Sequence, residues 1–296
     1  MDGSAGERAG RPIGAARTRG APGPDRAALY IVLLFSCGTC LSAVLQRRLL
    51  ENLPSAHNAV ELSVGEAFGL AAILSLAFAG SRGRLVLSGL DIAILIVAAL
   101  AWFVPEQHGI YLAMTLAGGW FVSRRRADRT SVDIGQIWLA LSVYELWGKL
   151  LFKLCYQVIE VAEVGMISLV GRGFYGRLHV DGASLSVRDD WSIVILEGCS
   201  SFHNLSLTVV IWLSILKIAA HGADRAAFRA LGLSACLVVA INVARILAML
   251  PSPASYAFWH DGLGSTLVAL GSVLAAIVPI ARSVQGRAGC LGAQLR

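Results

Sequence analysis

The sequence predicts an all-α polytopic membrane protein: about eight transmembrane helices, with a small β-hairpin-like segment on the outer side ahead of the sixth. Three observations carry this. Of 296 residues, 56% are hydrophobic and only 15% charged, where a soluble domain carries about a quarter. Apolar runs close to the ~20 residues that cross a bilayer as a helix recur along most of the chain. Most lysines and arginines fall between those runs or at their ends.

In chain order, residues 1–27 are rich in Gly, Ala, Arg and Pro and lack an apolar core. They read as a disordered basic cytoplasmic tail, not a cleavable signal. Spans are expected at about 28–46, 61–80, 85–103, 108–123, 132–154, 201–220, 227–249 and 261–281. Residues 28–282 then form a single transmembrane domain and 283–296 a cytoplasmic tail.

With the N-terminus inside, the inner segments collect Arg8, Arg11, Arg17, Arg19, Arg26, Arg82, Arg84 and the run from Arg124 to Arg129. They also collect Lys217, Arg225, Arg229, Arg282, Arg287 and Arg296. Most of the 25 basic residues therefore lie inside in this orientation, and the positive-inside rule places both termini in the cytoplasm. Within the fifth span, Glu145, Lys149 and Lys153 share one helix face, and the first two can pair at i, i+4. Glu66 and Asp91 lie nearer span ends and receive no role.

The sizeable outer segment is 155–198. Its first part, 156–170, has helical apolar spacing and is expected at the membrane interface. The second part changes period: Leu178 and Val180 alternate with His179 and Asp181, Asp181-Gly182 signals a turn, and Leu185 and Val187 alternate again. A third run, 191–196, leads into Glu197. This reads as a small antiparallel element over the outer mouth of the bundle, either covering a site or offering an edge to an extended peptide.

Chemistry concentrates at Glu197-Gly198-Cys199-Ser200-Ser201-Phe202-His203-Asn204. Of the six cysteines, Cys37 and Cys40 form a C-x-x-C inside an apolar run, where small residues pack helices. Cys155 and Cys236 lie in or near apolar segments and Cys290 in the tail. Cys199 alone stands at the start of an apolar helix, where free backbone N–H groups and the helix dipole favour a thiolate and can hold an oxyanion. Ser200 and Ser201 add hydroxyls.

Two histidines compete as proton carrier. His203 is one helical turn beyond Cys199, and His260 opens the final span with Asp261 beside it. Arg245 sits near the outer end of the seventh span, three residues after Asn242 and on its face. An arginine there needs a carboxylate or a developing oxyanion. Taken singly, each residue has a plainer role in packing, anchoring or stitching helices together. All are expected at one membrane level.

The order Cys199-Ser200, then Asn242-x-x-Arg245, then His260 resembles the exosortase/archaeosortase family over about residues 130–281. The resemblance implies a membrane cysteine transpeptidase of the bacterial inner membrane, with its active site on the periplasmic side. Its substrates would be exported proteins with a C-terminal transmembrane sorting signal of the PEP-CTERM type. By position Cys199 matches the family nucleophile, Arg245 its arginine and His260 its histidine. The chain departs from the family at Ser201, where glycine is usual, and that replacement removes backbone freedom beside the nucleophile.

No metal, organic cofactor or nucleic-acid partner is called for; membrane lipid is the expected surround. The competing class is a non-catalytic membrane factor for assembly or transport of exported polysaccharide or protein. Such a factor would need polar groups near the bilayer midplane, whereas these are expected at the outer rim.

Overall fold

The computed structural model describes residues 27–50, 64–79, 87–104, 108–124, 128–195 and 199–294. These residues are mostly helical. The helices are α1 (Ala27–Leu50), α2 (Val64–Ala79), α3 (Gly89–Leu100), α4 (His108–Arg124), α5 (Arg129–Ser142) and α6 (Gly148–Gly171). After a small sheet come α7 (Phe202–Ile218), α8 (Arg225–Met249), α9 (Pro253–His260) and α10 (Leu263–Gln294).

Their ends are written in the sequence. Ser88 and Asp91 form a reciprocal capping box at α3. Asp128 and Asp224 cap α5 and α8 by accepting from backbone N–H groups. Ser252, followed by Pro253, opens α9. The close of α7 is a Schellman motif: His221 N–H donates to the Leu216 carbonyl at 2.9 Å, Ala220 N–H to that of Lys217 at 3.1 Å.

Three helical stretches are long and apolar enough to cross a membrane: Arg129–Gly171, Arg225–Met249 and Leu263–Gln285. The expected eight spans are not supported. Leu29–Thr39, Ala67–Ala79, Gly89–Phe103 and Phe202–Ile218 are apolar but shorter. The 17 residues of α7 rise about 26 Å against a hydrocarbon core of ~30 Å. An apolar run counts residues, whereas a helix ends where its caps and turns fall.

Three boundaries also differ. The fifth span and the expected interfacial helix are one continuous stretch, because a π-helical turn, Val143–Trp147, joins α5 to α6. No break falls at residue 155, where the outer segment was expected to begin. His260 closes α9 instead of opening the last span. Finally, α10 runs through the expected tail to Gln294; residues 1–26, 295 and 296 of the two expected tails lie outside the described residues.

The main core joins α1 to α5 with α7, α8 and α10 through Phe121, Ile137, Trp138, Leu141 and Ile211. Helices α4 and α5 approach closely because Gly118 and Gly135 face each other; a Cβ on either would stand 2.8 Å from the other's carbonyl oxygen. Charged pairs join helices at the expected cytoplasmic side. Asp91 accepts from Arg124 at 2.8 Å and Trp120 at 2.9 Å, and Lys217 reaches Asp133 at 2.6 Å. The Glu145–Lys149 pair expected from spacing forms at 2.7 Å.

The sheet has order β1 (His179–Asp181), β2 (Ser184–Arg188), β3 (Trp191–Val194), all antiparallel. The loop between β1 and β2 is Gly182-Ala183, with positive φ at Gly182 alone, the pattern of a type II′ hairpin turn. At the next turn Arg188 grips Asp190 through two bonds of 2.8 and 2.7 Å, which hold that carboxyl below its ordinary pKa.

A second apolar cluster lies under the sheet. Leu185, Ile193 and Ile195 pack with Val164 and Ile167 of α6, with Val243, Ile246, Leu247 and Met249 of α8 and the Leu250 that follows it, and with Cys199. The sheet thus rests on the same end of the bundle where α7 begins and α8 finishes.

Candidate active site

Cys199 precedes α7 by three residues, and Ser201 is the helix cap. The sequence placed the cysteine at the cap or in the first turn; it stands two residues before the cap. Cys199 is 9% exposed and set among apolar side chains of the second cluster. Among the described residues no side chain hydrogen-bonds its thiol.

Its backbone is held firmly. The buried Asn242 donates both amide hydrogens here, to the Cys199 carbonyl at 2.8 Å and to the Ser201 hydroxyl at 3.1 Å. Glu163 of α6 accepts from Ser201 N–H at 2.7 Å, and the Ser200 hydroxyl accepts from Phe202 N–H at 3.1 Å. The N–H groups of Ser201 and Phe202, at the helix start where free donors were expected, are therefore already bonded. Ser201 has φ −68° and ψ −16°, an ordinary helical conformation that needs no glycine.

Arg245 lies three residues beyond Asn242 on α8, and its Nε donates to the Trp259 carbonyl at 3.0 Å. Among the described residues no carboxylate pairs with its guanidinium. The next residue, His260, bonds through Nδ1 to Asp261 at 2.8 Å and stacks on Tyr256 at 4.7 Å between ring centres. Tyr256 and Trp259 pack against the cluster that contains Cys199. Helix α8 thus ties the cysteine turn, through Asn242, and the His260 turn, through Arg245, to one end of the bundle.

His203 turns elsewhere. Its Nε2 lies 2.7 Å from the Tyr144 hydroxyl, on the π-helical turn, with the two rings 4.7 Å apart. They line a cavity of about 230 Å³ with Lys149, Phe152, Ser200 and Ser206. π-Helical turns often occur at functional sites. A larger apolar groove, about 800 Å³, runs between α6 and α8 past Met166, Val170, Ala240 and Val243.

Of the sequence candidates, Cys199, Ser201 and Asn242 are joined directly, and Arg245 reaches the residue beside His260 and Asp261. Ser200 faces the His203 cavity, and Glu197 lies outside the described residues. Sequence reasoning missed Glu163, Tyr144 and Trp259. Glu163 and Tyr144 come from distant segments, and Trp259 contributes a main-chain carbonyl, which no motif records. Among the described residues no three His, Cys, Asp or Glu side chains gather as a metal would require. Comparison with family models, curated proteins and solved structures finds no match to this chain.

Proposed function

We propose that the chain is a membrane-embedded cysteine peptidase or transpeptidase that cleaves exported proteins at a C-terminal sorting signal. One observation carries the reading: Asn242 and Arg245, one turn apart on α8, reach the Cys199 turn and the residue beside His260. Acyl transfer needs a nucleophile, an oxyanion stabiliser and a proton donor, and these three side chains supply those chemistries from separate elements. The family resemblance of the Cys-Ser, Asn-x-x-Arg and His order supports the same assignment.

In this reaction the Cys199 thiol loses its proton to His260, and the sulfur attacks a backbone carbonyl of the substrate. Arg245 stabilises the oxyanion. The carbon–nitrogen bond then breaks, and the leaving amine takes its proton from His260. The acyl group remains as a thioester on Cys199 until an amine acceptor or water attacks it. The substrate is anchored by its own transmembrane helix, with a short polar motif on the periplasmic side of the bacterial inner membrane. Both termini of the enzyme are cytoplasmic.

The test is co-expression with a membrane-anchored reporter carrying such a signal. Wild type releases the reporter's tail; Cys199→Ala, Arg245→Ala and His260→Ala do not, while His203→Ala still does. Cleavage that survives Cys199→Ala ends the reading. Loss with His203→Ala and retention with His260→Ala moves the proton carrier onto α7.

A further inference from the structure

The outer sheet has an unused edge beside the nucleophile turn. Strand β3 pairs with β2 on one side, and no other described element runs alongside it. Which groups face the open side follows from the ladder. Ile195 N–H donates to the Ala183 carbonyl at 2.9 Å, so Ala183 and Ile195 form a hydrogen-bonded pair. Antiparallel pairs alternate, which makes Leu185 and Ile193 the next hydrogen-bonded pair. Ser192 and Val194 lie between them and point their N–H and C=O groups away from β2. Two donors and two acceptors therefore line the edge, and none bonds to a described residue.

The two edges of the sheet are treated differently. At the β1 edge stand Arg177, His179 and Asp181, ionisable groups of the kind that block strand addition. The residues of β3 are Trp191, Ser192, Ile193 and Val194, with no charge and no proline. Ser192 and Val194 are exposed, whereas Ile193 is buried in the cluster that holds Cys199. The open edge is thus fixed to the site from below. Trp191 meets Tyr256 edge-on at 5.9 Å, and Tyr256 stacks on His260. Along the chain, Cys199 follows Val194 by five residues, at most about 17 Å at ~3.3 Å per residue.

We propose that β3 receives an extended polypeptide segment as a fourth strand, held by the main-chain groups of Ser192 and Val194 and delivered to Cys199. The occupant is the stretch of a membrane-anchored protein immediately ahead of its transmembrane helix. That identity rests on the peptidase reading; the pairing itself does not. Main-chain bonds supply affinity regardless of sequence, and side chains at every second position supply selection.

The probe is the same reporter, with a photo-reactive phenylalanine derivative placed in turn at each position ahead of its transmembrane helix. It is expressed with the full chain carrying Cys199→Ala. Expected is crosslinking at alternate reporter positions, with the captured residues mapping to β3. Ser192→Pro removes an N–H that faces away from β2, a position where an edge strand tolerates proline. It should abolish the crosslinks while the melting temperature holds, and Ser192→Ala should keep them.

Crosslinks that lack the two-residue period, map elsewhere, survive Ser192→Pro or fail to form overturn the proposal. So does a photo-reactive residue at Val194 that captures only a second copy of the chain. Cleavage by wild type without crosslinks to β3 would sink this inference and leave the peptidase standing. Periodic crosslinks without cleavage by wild type would do the reverse.

Discussion

Asn242 uses both amide hydrogens on the Cys199 turn, so its substitutions separate two effects. Asn242→Leu leaves the Cys199 carbonyl without its partner, at a cost of about 1–3 kcal/mol. Asn242→Asp sets acceptor against acceptor and is expected to lower the melting temperature in detergent further than Asn242→Leu. Arg245→Lys tests geometry instead of charge, because an ammonium lacks the planar fork of a guanidinium. It should slow reporter cleavage about 100-fold, the usual size for one oxyanion donor, with little change in melting. An Arg245→Lys variant that cleaves at the wild-type rate would remove Arg245 from the reaction. Cys199, Arg245 and His260 stood out in the sequence as candidates because each lies near the end of an apolar run, and Asn242 because it shares the helix face of Arg245. Glu163 was not, because it belongs to a helix whose own spacing announced only an amphipathic face.

At the scale of elements, small residues decide two junctions. Gly118 and Gly135 let α4 and α5 touch backbone to backbone. Gly135→Ala places a methyl against a carbonyl that cannot move aside, so a loss of about 1–3 kcal/mol is expected, read as a fall in thermal midpoint. The opposite sign holds at Ala220, where φ is +52°. An L-residue there costs about 1–2 kcal/mol, and Ala220→Gly should raise the midpoint. The strands were legible because two-residue alternation and Asp181-Gly182 speak locally. The length of α6 was not. A hydrophobic run followed by an amphipathic one reads as two helices, and only the π-helical turn at Val143–Trp147 shows where the continuous stretch absorbs its change of face.

For the whole molecule, sidedness follows from charge and chain direction together. Helix α7 begins at the sheet end, α8 returns to it, and α9 with the start of α10 remains there, since α8 packs along both α7 and α10. The opposite end carries Lys217, Arg225 and Arg229 at the α7–α8 turn, and the proposed orientation, drawn from the positive-inside rule, turns that end to the cytoplasm. A cysteine in place of the exposed Asp189, at the β2–β3 turn, should therefore react with a membrane-impermeant maleimide in intact spheroplasts. One in place of the exposed Ala223, between α7 and α8, should react only after lysis. The reverse pattern would put Cys199, Arg245 and His260 on the cytoplasmic side, where no exported chain arrives, and the peptidase reading would fall with the orientation. Labelling of both before lysis would show that this pair of helices does not cross, and the shortness of α7 makes that the sharper challenge. At about 26 Å α7 spans the core only if the bilayer thins or polar side chains such as Lys217 snorkel at its end, and Lys217 already reaches Asp133 across the bundle. Lys217→Met should then destabilise by about 1–3 kcal/mol, because Asp133 loses its 2.6 Å partner and keeps only the longer contact to Arg129 at 3.9 Å, a fall in melting temperature that Asp133→Asn in the same chain should partly restore.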